Sequence, residues 1–170
     1  MNITEKILAR ASGKSTLAPD DVVFAKVDKV MVHDVSGPGV LKVFDKLQKQ
    51  GIDTSKLHDP TKVWIAEDHF VPSAEKISAE NIVKLSNFSK QYDIKKHFKY
   101  GMGQYGICHT LSHEEALVNP GEVYVGGDSH TNTTGGLGAF ACGLGHTDVA
   151  YVLLNGEIWF KVPETYYFKL

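Results

Sequence analysis

Residues 63–69 read VWIAEDH, in which four apolar residues are followed at once by three that can ionise. A run that is apolar at every position is typical of a strand covered on both faces, as in a parallel sheet with helices on each side. The polar residues begin where such a strand would end, and Pro72 then closes the turn. This segment predicts a buried strand, Val63–Ala66, that brings a Glu-Asp-His run to the edge of a sheet.

The rest of the chain alternates between strand and helix patterns. Further strand candidates are residues 22–27, 30–32, 98–100, 122–125 and 158–162. Helix candidates are residues 3–11, a segment from Val40 to a stop at Gly51, and residues 78–92, 112–118, 139–144 and 149–154. Such alternation predicts an α/β fold with three αβα layers and a mostly parallel sheet.

Ionisable residues follow four of the strand candidates. They are His33 with Asp34, Asp68 with His69, His109, and the run of Asp128, Ser129 and His130. Because parallel strands bring their carboxyl ends to one edge, where ligands bind in such folds, these residues predict a common site. An aspartate beside a histidine suits proton transfer near neutral pH. Taken singly, each histidine could equally be a hydrogen-bonded structural residue, the interpretation we give His58, His97, His113 and His146.

The segment GGDSHT, residues 126–131, presents a carboxylate, a hydroxyl and an imidazole on one loop. Its glycines permit positive φ angles and a close approach of the backbone to a ligand. Taken alone, the same residues also suit a solvated turn.

Several simpler motifs are incomplete. Residues 13–16, GKST, lack the first glycine of a P-loop, and residues 136–141 do not directly follow their strand as a dinucleotide fingerprint requires. Ser129 lacks the GxSxG context of a hydrolase nucleophile. His109 and His113 have the i, i+4 spacing of a metal pair, but His109 is predicted to precede the helix.

Composition limits the classes of function. The 170 residues, 42% of them hydrophobic, predict a single globular domain spanning residues 1–170. A net charge of −2 with dispersed lysines argues against nucleic acid and membrane partners, and no signal or spanning segment is present, so a cytoplasmic location is predicted. Cys108 and Cys142 form neither a disulfide framework nor a CxxC pair.

With these motifs assembled, the chain resembles the large subunit of the aconitase family, especially its 3-isopropylmalate dehydratase and homoaconitase branch. The matching segments run in order through the chain: residues 4–9, 32–34 with the Ser-Gly-Pro turn after them, 67–72, 106–109, 127–131 and 158–164. The resemblance implies an aconitase-like first domain. It also implies a hydro-lyase that converts 2-isopropylmalate to 3-isopropylmalate in leucine biosynthesis, by dehydration and rehydration, or homocitrate by the same chemistry.

The resemblance also implies roles for individual residues. Asp68 and His69 would protonate the leaving hydroxyl, helped by the exposed iron of a [4Fe–4S] cluster. His109 and His130 would line the pocket, and Asp128 would orient its neighbours. Ser129 and Thr131 would contact substrate, as would His33, which replaces an amide side chain of aconitase proper.

The chain departs from the family pattern in what it lacks. The family's cluster cysteines lie far downstream, and its substrate-binding arginines and serine base lie elsewhere, partly in a separate small subunit. Here Arg10 is the only arginine among 18 basic residues. We therefore expect the first domain of a large subunit, truncated and inactive alone, with no metal of its own. Its expected partners are a small polycarboxylate substrate and a small subunit, in a heterodimer or heterotetramer. The substrate's side-chain pocket is expected on that small subunit.

Two alternatives come from other classes of function. The same residues could be ligands of a mononuclear metal hydrolase, built from His69, His109, His130 and either Asp68 or Asp128. Some aconitase relatives also serve as RNA-binding regulators, a role that a near-neutral chain with one arginine supports poorly.

Overall fold

The computed structural model describes residues 1–169, so Leu170, the end of the predicted domain, lies outside the described residues. The helices are α1 (Ile3–Ser12), α2 (Gly37–Lys49), α3 (Lys76–Gln91), α4 (Cys108–Glu114) and α5 (His146–Asn155). The strands are β1 (Val22–Lys26), β2 (Lys29–His33), β3 (Val63–Ala66), β4 (Lys96–Phe98), β5 (Val123–Gly126), β6 (Phe140–Gly143) and β7 (Glu157–Lys161). Short 3-10 helices cover Pro60–Lys62 and Thr131–Leu137.

A five-stranded parallel sheet carries the site. Its strand order is β4-β3-β2-β5-β6, and every neighbouring pair is parallel. The predicted α/β fold is confirmed. Because all five strands run the same way, the residues that follow β2, β3 and β5 emerge along one edge, which is the edge where ligands bind in open parallel sheets.

Both faces of this sheet are covered. Along β2, Val30 and Val32 belong to a core cluster that includes residues of α1, α2, α3 and α5, whereas Met31 between them belongs to a second cluster. That second cluster also contains Trp64 and Tyr124, whose rings stack with their centroids 6.2 Å apart. Every residue of β3 is buried, as its uniformly apolar sequence predicts.

The first helix shows how closely local signals can fix an element. Asn2 and Glu5 form a reciprocal capping box at its start, and Gly13 ends it with φ of 68°.

Among residues 1–169, no helix is both long enough and apolar enough to cross a membrane.

Two predictions about elements were wrong. Residues 139–144, predicted as helix, contain β6, whose residues pair with β5 as an edge strand. The helix predicted over residues 112–118 instead covers Cys108–Glu114, and the Ser112 hydroxyl lies within it, donating back to the His109 carbonyl and not capping its start. The strands predicted at residues 22–27 and 158–162 are confirmed as β1 and β7; within residues 1–169 they pair only with each other, antiparallel and outside the parallel sheet.

Candidate active site

Asp128 lies at the centre of a cluster at the carboxyl ends of the strands. Its Oδ1 is 2.9 Å from His109 Nε2, and its Oδ2 is 3.2 Å from His33 Nε2 and 3.8 Å from His69 Nε2. The cluster thus joins residues from β2, from the loop after β3 and from α4 to the loop after β5. The four groups predicted to meet at this edge do meet there.

The loop around Asp128 is shaped by its own carboxylate. Asp128 Oδ1 accepts a hydrogen bond from the His130 backbone N–H at 2.6 Å, as in an Asx turn. Gly127 is needed beside it, because a Cβ at this position would lie 2.4 Å from Ser36 Cβ. Burial opposes ionisation of Asp128, but the His130 N–H and the His33 ring outweigh it and lower its pKa to about 2.

His33 is held in one tautomer. The Ser36 backbone N–H donates to His33 Nδ1 at 2.9 Å, and since an N–H can only donate, Nδ1 carries no proton. The ring proton therefore sits on Nε2 and is donated to Asp128 Oδ2. His33 is 1% exposed, so both nitrogens are used inside the protein. In this arrangement His33 has no free ring nitrogen with which to make its predicted contact with substrate.

Asp68 and His69 form a directly bonded pair. His69 Nδ1 lies 2.8 Å from Asp68 Oδ1, and the Cys108 backbone N–H donates to Asp68 Oδ2 at 2.6 Å. Burial raises the pKa of Asp68, but these hydrogen bonds exceed that effect and leave its pKa below the ordinary value. The His69 side chain is 38% exposed. It combines a fixed Nδ1 with an Nε2 that can reach a ligand.

The predicted residues of the Asp128 loop divide into exposed and buried ones. His130 is 79% exposed at its side chain, and the Ser129 hydroxyl lies 3.2 Å from its Nδ1. Thr131 is fully buried, and its hydroxyl donates to the Asp128 carbonyl at 2.7 Å. The structure thus shows Thr131 supporting the loop through its hydroxyl, and its predicted contact with substrate stays a prediction.

Some residues that build the site were not predicted from the sequence. Ser36 fixes the His33 tautomer, although the sequence marked it only as a turn residue. Glu67, which directly precedes Asp68, forms a buried pair at 2.9 Å with His97, the middle residue of the neighbouring strand β4. The sequence identifies His97 only as a structural histidine, and its distance of 30 residues from Glu67 gives no signal of the pairing.

The cluster contains candidate metal ligands. Three groups have ligand atoms within 4.8 Å of one another: His33, His69 and Asp128; His109, Asp128 and His130; and Asp34, Asp68 and His69. None of these groups, within residues 1–169, joins His69 to His109 or His130, which the metal hydrolase alternative requires. In the first group, His33 Nε2 carries a proton and has no lone pair to offer.

A groove of about 340 Å³ opens beside His69. Its lining residues are His69, Phe70, Val71, Pro72, Ala74, Glu75, Ile77, Ser78 and Asn81. Most of these side chains are apolar, none is lysine or arginine, and Glu75 supplies the one carboxylate. His69 lines the groove and also belongs to the Asp128 cluster, so this residue is shared by the two.

Comparison with known proteins places this arrangement in a family. The model of the aconitase family (aconitate hydratase) matches residues 5–170, nearly the whole chain. The chain belongs to the aconitase family. The resemblance inferred from the sequence motifs is thereby confirmed.

Among relatives in the aconitase family, the chain is similar to 3-isopropylmalate dehydratase large subunits. It is 43% identical to the protein of Caldicellulosiruptor saccharolyticus over 170 residues, which is 100% of this chain and 38% of that protein. It is 44% identical to that of Aquifex aeolicus over 165 residues, 97% of this chain and 36% of the relative. The chain therefore spans less than two fifths of the length of these relatives.

The cysteines of this chain do not fit an iron–sulfur cluster, which thiolates would have to hold. Cys108 is fully buried, and burial together with the Asp68 carboxylate raises the pKa of its thiol far above the ordinary value. Burial also raises the pKa of Cys142, which lies in β6. Neither cysteine belongs to a group of candidate metal ligands within the described residues.

Proposed function

We propose that this chain supplies the proton-donating residues of the active site of a hydro-lyase. The enzyme interconverts 2-isopropylmalate and 3-isopropylmalate, the reaction of leucine biosynthesis. The observation that carries the proposal is the convergence of Asp68, His69, His109 and Asp128 at one sheet edge, in a chain of the aconitase family. The large-subunit relatives support the same reaction.

In this proposal His69 protonates the leaving hydroxyl. Its Nδ1–H is donated to the Asp68 carboxylate, so in the doubly protonated ring Nε2 is the nitrogen that gives the proton, which leaves a neutral imidazole. The Asp68 carboxylate orients the ring, and its lowered pKa keeps it charged at neutral pH. The proton on the substrate carbon is removed by a group outside this chain, and rehydration reverses both transfers.

Asp128 organises the other side of the pocket. Its low pKa keeps the carboxylate ionised, and it fixes the rings of His33 and His109 through their Nε2 atoms. The exposed Ser129 and His130 face outward from the same loop and are the groups we assign to a substrate carboxylate. His109 Nε2 remains tied to Asp128, so we assign His109 to shaping the pocket.

The groove beside His69 supports isopropylmalate over homocitrate. Homocitrate carries a third carboxylate where isopropylmalate carries a branched alkyl group. An apolar groove with no basic residue and with Glu75 in its lining suits the alkyl group and repels an additional carboxylate. The groove adds a surface on this chain to the side-chain pocket expected on the small subunit.

The remaining components belong to the complete enzyme. We propose a [4Fe–4S] cluster, held by cysteines outside residues 1–170, that supplies Lewis acidity, and a small subunit that supplies arginines. Cys108 and Cys142 are both free thiols, which suits the reducing cytoplasm proposed for this enzyme.

A chimera tests the function directly. The matching segment of the C. saccharolyticus large subunit is replaced by this chain, assembled with that relative's small subunit and loaded anaerobically with iron and sulfide. Absorbance of the unsaturated acid should appear with isopropylmalate at a rate within about tenfold of the parent enzyme. If the fully cluster-loaded chimera shows no turnover while the parent enzyme is active, the proposal is wrong.

The substrate is tested in the same assembly. We expect kcat/KM for isopropylmalate to exceed that for homocitrate. An Ile77→Asp change in the groove should lower kcat/KM for isopropylmalate by about tenfold, since a pocket contact of this kind contributes 1–3 kcal/mol. Val22→Asp, at an exposed apolar residue of β1, is the control. Equal effects of the two changes would show that the groove does not contact substrate.

A further inference from the structure

Asp34 directs a buried carboxylate at the backbone of a neighbouring loop. Its side chain has no solvent exposure. Oδ1 accepts from the His69 N–H at 3.1 Å and more weakly from the Asp68 N–H at 3.4 Å, and Oδ2 accepts from His69 at 3.2 Å and Phe70 at 2.6 Å. Three consecutive backbone amides thus converge on one side chain.

A buried charge needs such partners. Removing a carboxylate from water is unfavourable unless hydrogen bonds or an opposite charge compensate for it. Within residues 1–169, Asp34 forms no ion pair with lysine or arginine, and its one ionisable partner is His69, with Nδ1 at 3.8 Å. The three amides are therefore its main compensation, and the loop is bound to the end of β2 through them.

The loop that Asp34 holds is the one that carries Asp68 and His69. This loop is in turn bonded to α4, because Asp68 Oδ2 accepts the N–H of Cys108, the first residue of α4. His109 follows in the same turn and reaches Asp128. One carboxylate at the end of β2 thus sets the backbone from which both sides of the cluster are placed.

We propose that Asp34 is a positioning residue that holds the Asp68 and His69 pair in its reactive geometry. This inference rests on the proposed hydro-lyase function. It assigns to Asp34 no contact with substrate. Holding the loop in this way requires a carboxylate, because both side-chain oxygens accept hydrogen bonds. An asparagine would turn its NH₂ group toward the N–H of either His69 or Phe70, and two donors repel each other.

The contact is tested first on the unaltered chain. NMR should detect hydrogen-bond scalar couplings from the amide nitrogens of His69 and Phe70 to the Asp34 carboxyl carbon. Their absence, in well-resolved spectra, would overturn the proposal without any variant. This NMR measurement does not depend on enzyme activity, so it tests the contact even if the proposed hydro-lyase function is wrong.

The effect on reaction is tested in the chimera with Asp34→Asn and Asp34→Ser. We expect kcat to fall by about 10²-fold in whichever variant folds, because misplacing a reacting group by about 1 Å has that effect. KM should change less than threefold, since Asp34 touches no substrate. The amide signals of residues 68–70 should shift and exchange faster.

Asp28→Asn is the matched control. Asp28 also accepts a backbone N–H, that of Val123 at 2.8 Å, but it precedes β2 and so lies at the opposite end of the sheet. It should move the Val123 signal and leave kcat within twofold. If Asp34 variants keep the kcat of the unaltered chimera, or lose activity only in proportion to unfolded protein, as Asp28→Asn would, Asp34 is merely structural.

Discussion

The carboxylates at the two ends of the parallel sheet have different ionic partners. At the amino end, Asp28 accepts the Val123 N–H and is paired with Arg10, whose guanidinium lies 2.6 Å away and also donates to the Gly121 carbonyl. Arginine stays protonated at any ordinary pH. This end therefore holds a permanently neutralised carboxylate that joins α1 to the strands.

At the carboxyl end the ionic partners are histidines. Asp34, Asp68 and Asp128 pair with histidine rings only, and so does buried Glu67, within the part of the chain that the structure describes. The remaining partners are backbone N–H groups. Histidine can exchange a proton near neutral pH, whereas arginine cannot. Both ends use carboxylates to join strands, but only the carboxyl end is equipped to move protons.

The sharpest test of this contrast is His69→Gln in the chimera. Glutamine can replace the hydrogen bond to Asp68 but cannot donate a proton at neutral pH, so kcat should fall by about 10² to 10⁴-fold, the usual contribution of a general acid to the rate. His58→Gln is the control, because His58 lies against Gly156 and away from the Asp128 cluster. Comparable losses in both variants would remove the distinction between the two histidines.

Acid stability should expose the same contrast with a smaller effect. The pKa of Asp128 is about 2 in the folded chain and about 3.8 in the unfolded one. A depressed pKa contributes stability above the unfolded value, and that stability is lost as the pH falls from about 4 toward 2. The contribution is on the order of 2 kcal/mol, because one pKa unit corresponds to about 1.4 kcal/mol.

Urea unfolding of the 170-residue chain between pH 6 and pH 2.5 measures this contribution. Asp128→Asn should be less stable than the unaltered chain at pH 6, and the difference should shrink as the pH falls. A difference that does not vary with pH would show that the Asp128 carboxylate is not held ionised by its neighbours.

The amino end should give the smallest effect. Asp28→Asn removes a half-exposed ion pair and weakens one backbone hydrogen bond, so the free energy of unfolding should fall by about 1 kcal/mol. The measurement is urea unfolding at pH 7. A loss above about 3 kcal/mol would mean that Asp28 belongs to a more strongly coupled network than the structure shows.

The sequence predicted what depends on local pattern. The uniformly apolar β3 and the ionisable residues after it indicated both the parallel sheet and the edge where the cluster lies. It failed at β6, because a short edge strand of apolar and glycine residues has no period that separates it from a helix. The buried state of Thr131 and the anchoring by Asp34 depend on contacts between distant segments, which spacing along the chain does not encode.

The most direct test of a catalytic carboxyl end compares Asp128→Asn with Asp28→Asn in the cluster-loaded chimera. Each change converts one strand-joining carboxylate to an amide, and the two sites differ in being at opposite ends of the sheet. The measured quantity is kcat for isopropylmalate, per folded enzyme. We expect kcat to fall by about 10²-fold or more in Asp128→Asn and by less than twofold in Asp28→Asn. Equal kcat values in the two variants would contradict it.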